Sequence, residues 1–113
     1  MPAIDLSPRD LATVRAILGA HVPGIEVRAF GSRARGGARP FSDLDLALMT
    51  ARPLDLHTLA ELREALTESD LPFKVDLLDW AATGEAFRRI VEQEGVVVQD
   101  RADGASPSAA RSG

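Results

Sequence analysis

The sequence contains no cysteine, and its only histidines, His21 and His57, lie far apart along the chain. Without thiols the chain forms neither disulfides nor thiolate metal sites, and two separated histidines argue against a zinc site. No apolar run approaches the roughly twenty residues of a membrane helix. The N-terminal sequence also lacks the basic and apolar regions of a signal peptide. We therefore expect a cytoplasmic protein that does not enter a membrane.

Length and composition are typical of one globular domain. The chain has 113 residues, of which 45% are apolar and 27% are charged, so it is long enough to bury one core. We expect the domain to span residues 1–100. Residues 101–113 contain no large apolar side chain, which predicts a disordered tail. The net charge of −4 argues against non-specific nucleic-acid binding.

Three helices are predicted from capping residues and apolar periodicity. Ser7 and Pro8 are typical of the start of the first helix, and Asp55 of a second that runs to about residue 69. Thr83 is predicted to cap the third, which ends before Gly95. The residues expected to face inward are Leu11, Val14, Ile17, Leu18, Leu56, Leu59, Leu62, Leu66, Phe87, Ile90 and Val91.

Four strands are predicted at residues 25–30, 43–49, 73–78 and 96–98, where apolar residues alternate with polar ones or form short runs. The link between the first two strands is too short for an ordinary crossover helix, so we expect these strands to be antiparallel. Together the elements predict a mixed α/β domain with about four strands flanked by helices.

The second predicted strand carries two carboxylates. Because side chains alternate along a strand, Asp43 and Asp45 point the same way, with Cα atoms about 6.6 Å apart, while the leucines between and after them enter the core. Asp76 in the third strand joins them if the two strands are neighbours; Asp79 lies on the opposite face or beyond the strand end. Three carboxylates of this kind can hold two Mg²⁺ ions for phosphoryl or nucleotidyl transfer.

The loop before the acidic strand is suited to phosphate. Gly31 leaves the backbone open to close approach, and Ser32 offers a hydroxyl that can also cap a short helix. Among Arg33, Arg35 and Arg39 we expect at least one to contact a phosphate. Without this loop, an Asp-x-Asp pair would more often be a solvated strand end.

These motifs resemble those of a known protein superfamily. Gly31-Ser32, ten residues and then Asp43-Leu44-Asp45, within FGSRARGGARPFSDLDLAL, resembles the signature of the DNA polymerase β-like nucleotidyltransferase superfamily. The phrasing is similar to its smallest members, the minimal nucleotidyltransferases. KVDLLD and FRRIVEQEGVVV extend the likeness over about residues 25–98.

The resemblance implies the polymerase β-like fold and transfer of AMP from ATP to an acceptor. By that likeness Gly31 and Ser32 hold the triphosphate with the help of Arg33 and Arg35. Asp43 and Asp45 hold Mg²⁺. Asp76 completes the triad as a metal ligand and as the base for the acceptor hydroxyl, with Asp79 as its alternative.

No additional domain for the acceptor is evident in the sequence. Minimal nucleotidyltransferases are commonly paired with a HEPN-type toxin, so the resemblance implies an antitoxin that transfers AMP to a hydroxyl of its partner protein. Two alternatives stay open. In the first, the chain is a non-catalytic module that masks the toxin. In the second, it is a nucleotidyltransferase for a small molecule or nucleic acid, and a homodimer completes its acceptor site.

Overall fold

The structure is a computed structural model that describes residues 4–36, 39 and 42–101. Within these residues the predicted order of helices and strands is confirmed, with two short additions. The elements are α1 Pro8–His21, β1 Val27–Phe30, α2 Ser32–Arg35, β2 Leu44–Leu48, α3 Leu56–Thr67, β3 Val75–Asp79, a 3-10 helix Trp80–Ala82, α4 Glu85–Glu94 and β4 Val96–Gln99. Apart from Arg101, the predicted tail lies outside the described residues.

The four strands form one mixed sheet in the order β3-β2-β1-β4. β1 is antiparallel to β2, as predicted, and also to β4. β2 and β3 are parallel, and α3 lies in the connection that a parallel pair requires. The described residues contain no helix that is both long and apolar enough to cross a membrane.

The core lies between one face of the sheet and helices α1 and α3. β2 sends Leu44, Leu46 and Leu48 into this layer, and all three are fully buried. They pack with Val14 and Leu18 of α1, which are also fully buried. Each such side chain contributes about 1.5–3 kcal/mol relative to an exposed one, so this layer fixes which face of β2 points inward.

The opposite face of the sheet is only partly covered. α4 packs across β1 with Val91 fully buried, and the short α2 contacts β1 and β2. Asp45 in β2 and Asp76 in β3 lie side by side on this face.

Of the caps predicted for the three longer helices, two are confirmed. The Ser7 hydroxyl accepts a hydrogen bond from the Asp10 amide at 3.1 Å. The Asp55 carboxylate accepts one from the Thr58 amide at 3.0 Å. The cap predicted at Thr83 is wrong, because Gly84 occupies that position and the Thr83 hydroxyl donates to the Asp79 carbonyl instead, at 2.6 Å.

Three residues that were expected to face inward are exposed. Leu56, Phe87 and Ile90 expose 81%, 53% and 38% of their surface, so this part of the prediction is wrong. Leu56 is the first residue of α3 and lies beyond the edge of the core. On α4, only Val91 is buried, because the helix touches the sheet along a narrow stripe.

Asp79, the alternative to Asp76, lies at the far end of β3. Its carboxylate accepts hydrogen bonds from the Thr50 hydroxyl and from the Leu54 amide. The same hydroxyl accepts a hydrogen bond from the Ala81 amide at 3.1 Å. Asp79 therefore ties the segment after β2 to the end of β3 and takes no place beside Asp43 and Asp45.

Asp79→Ala is expected to lower the free energy of unfolding by about 1–3 kcal/mol, because it removes two hydrogen bonds and leaves a partly buried amide without its acceptor. Urea denaturation measures this loss. Asp70→Ala, at an exposed site, is the matched control and should change stability little. Equal stability of the two variants would contradict the anchoring role.

Candidate active site

The sheet brings the predicted carboxylates to one place. In the parallel pair of β2 and β3, Asp45 lies directly opposite Asp76, so their side chains leave the same face of the sheet. Asp43 precedes β2 and is exposed. The fully buried Leu44 and Leu46 on either side of Asp45 keep its carboxylate on the face opposite the core.

The carboxylates influence one another electrostatically. The pKa of Asp45 is raised above its ordinary value, first by partial burial and then by the negative charges of Asp76 and Asp43. The guanidinium of Arg35 lowers it in part. The site thus holds more negative charge than its own cations balance, as a site for a divalent cation or a cationic complex would.

Lys74 is a cationic neighbour of Asp76. Oδ1 of Asp76 lies 3.6 Å from Nζ of Lys74, and the side chains of Lys74 and Asp76 are 74% and 47% exposed. Within residues 4–36, 39 and 42–101, no three acidic or imidazole side chains are gathered closely enough to hold one ion together. Asp45 and Asp76 nevertheless share one face, and Asp43 is close enough to Asp45 to raise its pKa. Carboxylate oxygens are the ligands that Mg²⁺ prefers.

Gly31 allows the phosphate loop to approach Asp45. Its φ is +79° and its ψ −156°, a region that is essentially restricted to glycine. A Cβ atom at this position would lie 2.5 Å from Oδ2 of Asp45. Gly31 also occupies the N-cap of α2, where Ser32 was expected; Ser32 is instead the first helical residue. The backbone thus passes directly beside the acidic strand.

Arg33 is used inside the loop. Only 5% of its surface is exposed, and its guanidinium donates to the backbone carbonyls of Ser42, Asp5 and Arg39 at 2.9, 2.8 and 3.3 Å. It also stacks over the ring of Phe73, 4.1 Å from the centroid. This geometry does not favour the predicted contact between Arg33 and a phosphate, because its donors hold the loop together.

Arg35 faces the acidic site. It is close enough to Asp45 to affect the pKa of that residue, and 56% of its side chain is exposed. Its guanidinium donates to both carboxylate oxygens of Glu94, at 3.0 and 3.2 Å. The sequence analysis missed Glu94, because it is 59 residues away from Arg35 and belongs to no recognised motif.

The acidic residues are accessible to solvent: Asp43 is exposed, and 47% of the Asp76 side chain is exposed. A cleft of about 720 Å³ does exist, but its lining residues lie near the opposite ends of the strands. They include His21, Glu26, Thr50, Arg52 and Trp80 and none of the acidic residues of the site. The acidic face is the better candidate for the active site, because the charged groups converge there. A substrate bound there would need a second surface to cover it.

Comparison with known proteins shows the family of this chain. The family model described as polymerase beta, nucleotidyltransferase, matches residues 17–103. This chain belongs to that nucleotidyltransferase family. The probable protein adenylyltransferase MntA of Haemophilus influenzae is 49% identical over 98 residues, which cover 87% of this chain and 86% of the relative.

Solved structures agree on the fold of this nucleotidyltransferase. A crystal structure of a toxin-antitoxin with AMP-PNP has a TM-score of 0.69 and 26% identity, and the match covers 80% of this chain and 73% of that one. A tri-AMPylated Shewanella oneidensis HEPN toxin in complex with MNT antitoxin matches with a TM-score of 0.63 and 24% identity, over 81% and 71% of the two chains. The second likeness concerns the fold alone.

Gly31→Ala is expected to destabilise the chain by about 1–3 kcal/mol, the cost of placing a side chain in this backbone region, with the contact to Asp45 adding to it. Urea denaturation measures the change. Gly36→Ala is a close control, because Gly36 has φ +81° and ψ +147°, but a Cβ atom added there would meet no other atom within 4 Å. If Gly31→Ala costs no more than Gly36→Ala, the close approach to Asp45 has no energetic weight.

Asp45→Asn is expected to raise the free energy of unfolding at neutral pH when divalent cations are absent. Because the pKa of Asp45 is raised in the folded chain, the fold binds this proton more tightly than the unfolded chain does. The native protein therefore loses stability as the pH rises from the unfolded pKa, about 3.9, through the folded one. The benefit of the substitution is absent at lower pH and complete above the folded pKa.

Urea denaturation in a chelating buffer, at pH 3 and pH 7, measures this difference. Asp70→Asn removes a carboxylate at an exposed position and serves as the control for net charge. A variant at Asp45 that is less stable than the native chain at pH 7 would contradict the electrostatic account.

Proposed function

We propose that this nucleotidyltransferase transfers AMP from ATP to a hydroxyl of a partner protein and is the antitoxin of a HEPN-type toxin. The observation that carries the proposal is the pair of Asp45 and Asp76 on one face of the sheet, with Asp43 close enough to raise the pKa of Asp45. It lies beside the Gly31 loop, in a chain that is 49% identical to a probable protein adenylyltransferase.

In the proposed reaction, the acceptor oxygen attacks the α-phosphorus of ATP. A bond forms between that oxygen and phosphorus, the bond to the bridging oxygen between the α- and β-phosphates breaks, and pyrophosphate leaves. Asp76 accepts the hydroxyl proton. Its position supports this role, because it lies next to Asp45 on the open face, where an acceptor from another molecule can reach it.

Asp43, Asp45 and Asp76 are the residues that would hold Mg²⁺, with two ions expected. The fit rests on the donor set, since carboxylate oxygens suit Mg²⁺, and on the pKa of Asp45, which is raised first by partial burial and then by repulsion from Asp76 and Asp43. A cation relieves that repulsion. When bound, Mg²⁺ neutralises negative charge on the phosphates and orients them. The chain contributes the face on which these carboxylates are fixed.

Gly31, Ser32 and Arg35 are the residues we propose to bind the triphosphate. The absence of a side chain at Gly31 brings the backbone amide within reach of an anion, Ser32 follows it directly, and Arg35 offers an exposed guanidinium near Asp45. We leave Arg33 out of this set, because backbone carbonyls already use its donors.

The open acidic face supports a macromolecular acceptor. Because Asp43 is exposed and 47% of the Asp76 side chain is exposed, a folded protein can reach these carboxylates from solvent. Relatives of similar fold were crystallised as toxin-antitoxin complexes, one of them with a tri-AMPylated HEPN toxin. These points support a HEPN-type partner.

Masking of the toxin is the second candidate. Phe87 and Ile90 on α4 and Val97 on β4 are apolar side chains with 38–53% of their surface exposed. Such residues suit contact with another protein. An antitoxin that acted through such contacts alone would not need its carboxylates.

Transfer of label from ATP to the partner tests the proposal. The full chain is incubated with Mg²⁺, α-labelled ATP and the protein product of the neighbouring gene, and the proteins are separated on a gel. We expect label on the partner protein, and we expect Asp43→Asn to reduce it at least about 100-fold, because the variant loses a metal ligand. Asp70→Asn, which also removes one carboxylate, should retain full transfer.

Three outcomes are informative. Label that depends on Asp43 supports adenylyl transfer. A stable complex that carries no label, and in which Asp43→Asn still neutralises the toxin, supports masking and contradicts transfer. Label on a soluble acceptor in the absence of any partner would contradict the protein acceptor.

A further inference from the structure

The last residue of α4, Glu94, reaches across to the phosphate loop. Its Oε1 accepts a hydrogen bond from the Gly31 amide at 3.4 Å. Both of its carboxylate oxygens accept from Nη1 of Arg35, at 3.0 and 3.2 Å. One carboxylate therefore engages two of the groups that we assign to triphosphate binding, and it comes from an element far along the chain.

These two donors are suited to phosphate for the same reason that they are suited to Glu94. A backbone amide and a guanidinium both donate to anionic oxygens, and a carboxylate and a phosphate present such oxygens in a similar way. The same donor hydrogens cannot serve both anions at full strength. A triphosphate that uses Gly31 and Arg35 must therefore displace Glu94 at least from Gly31.

Glu94 gains little from its own helix. It is the final residue of α4, and the last turn of that helix carries no basic residue. A negative charge at a helix C-terminus is unfavourable, because the partial charge of the helix is negative there. The contacts with Arg35 and Gly31 thus account for the position of this carboxylate better than any interaction within α4.

The contacts of Glu94 are also weak enough to be exchanged. The bond to Gly31 is long, at 3.4 Å, and the side chains of Arg35 and Glu94 are 56% and 27% exposed. Ion pairs of this exposure contribute little to stability. A highly charged triphosphate can therefore replace Glu94 with only a modest loss of affinity.

We propose that Glu94 is an internal competitor of the nucleotide: it occupies Gly31 and Arg35 while the site is empty and is displaced when the triphosphate binds. Glu94 thereby weakens nucleotide binding, and it balances the charge of Arg35 when no nucleotide is bound. This inference rests on the proposed binding of ATP at this site. Its opposite is a positioning role, in which Glu94 holds Arg35 in place for the phosphate and strengthens binding.

Titration calorimetry with Mg-ATP on the full chain separates the two roles. We expect Glu94→Gln to lower the Kd by roughly two- to five-fold, the range that an exposed ion pair allows. Glu94→Asp keeps the charge but shortens the side chain, which weakens the competing contacts. We therefore expect it to lower the Kd as well. Thermal unfolding of each variant verifies that it is folded.

Glu92→Gln is the matched control, because Glu92 is an exposed glutamate of the same helix turn and its loss changes the net charge equally. It should leave the Kd unchanged. Arg35→Gln should raise the Kd, and in that background the effect of Glu94→Gln should fall below about two-fold, since the competing contact is already largely lost.

A higher Kd for Glu94→Gln, or an equal decrease for Glu92→Gln, would overturn the inference; the first result would indicate a positioning role, the second a general effect of charge. If the native chain and all variants fail to bind Mg-ATP, the proposed function itself fails. Binding by the native chain with an unchanged Kd for Glu94→Gln overturns the competitor alone.

Discussion

The burial of three leucines on β2 is the constraint from which the rest of the site follows. Leu44, Leu46 and Leu48 fill the layer beneath α1 and α3, and strand alternation then forces Asp45 onto the other face. Polar residues between buried leucines are common in sheets. Here the neighbouring strand also carries a carboxylate, Asp76, directly opposite Asp45. Hydrophobic packing on one side thus fixes an electrostatic pattern on the other.

The acidic residues lower the stability of the fold, and the buried core compensates for this loss. The raised pKa of Asp45 means that its charge is less stable in the fold than in water. Gly31 adds a second demand, since its backbone lies where a side chain would meet the same carboxylate. Both features lower the stability of the site when it is empty, and both favour the binding of a cation and a phosphate. Such local conflicts with stability are typical of functional sites.

Much of the fold and part of the site followed from local patterns. Alternation in β2 was sufficient to place Asp45 on the face opposite the core, and a short link predicted the antiparallel pair. The contacts of Arg33 with Asp5 and Phe73, and those of Glu94, were not predictable, because they join segments that are distant in sequence. Helix periodicity also cannot tell whether a neighbour covers a given face, which is why Phe87 and Ile90 were wrongly placed inside. Asp79 was equally ambiguous until its partners Thr50 and Leu54 were visible.

The contact between Gly31 and Glu94 spans 63 residues, and this separation bears on the order in which the protein becomes competent. A ribosome makes the chain from its N-terminus, at about 5–20 residues per second. The acidic strand and the phosphate loop therefore leave the ribosome several seconds before α4 is complete. During that interval Arg35 has no carboxylate from α4 beside it, so the emerging chain and the finished protein present different charges to any nucleotide they meet.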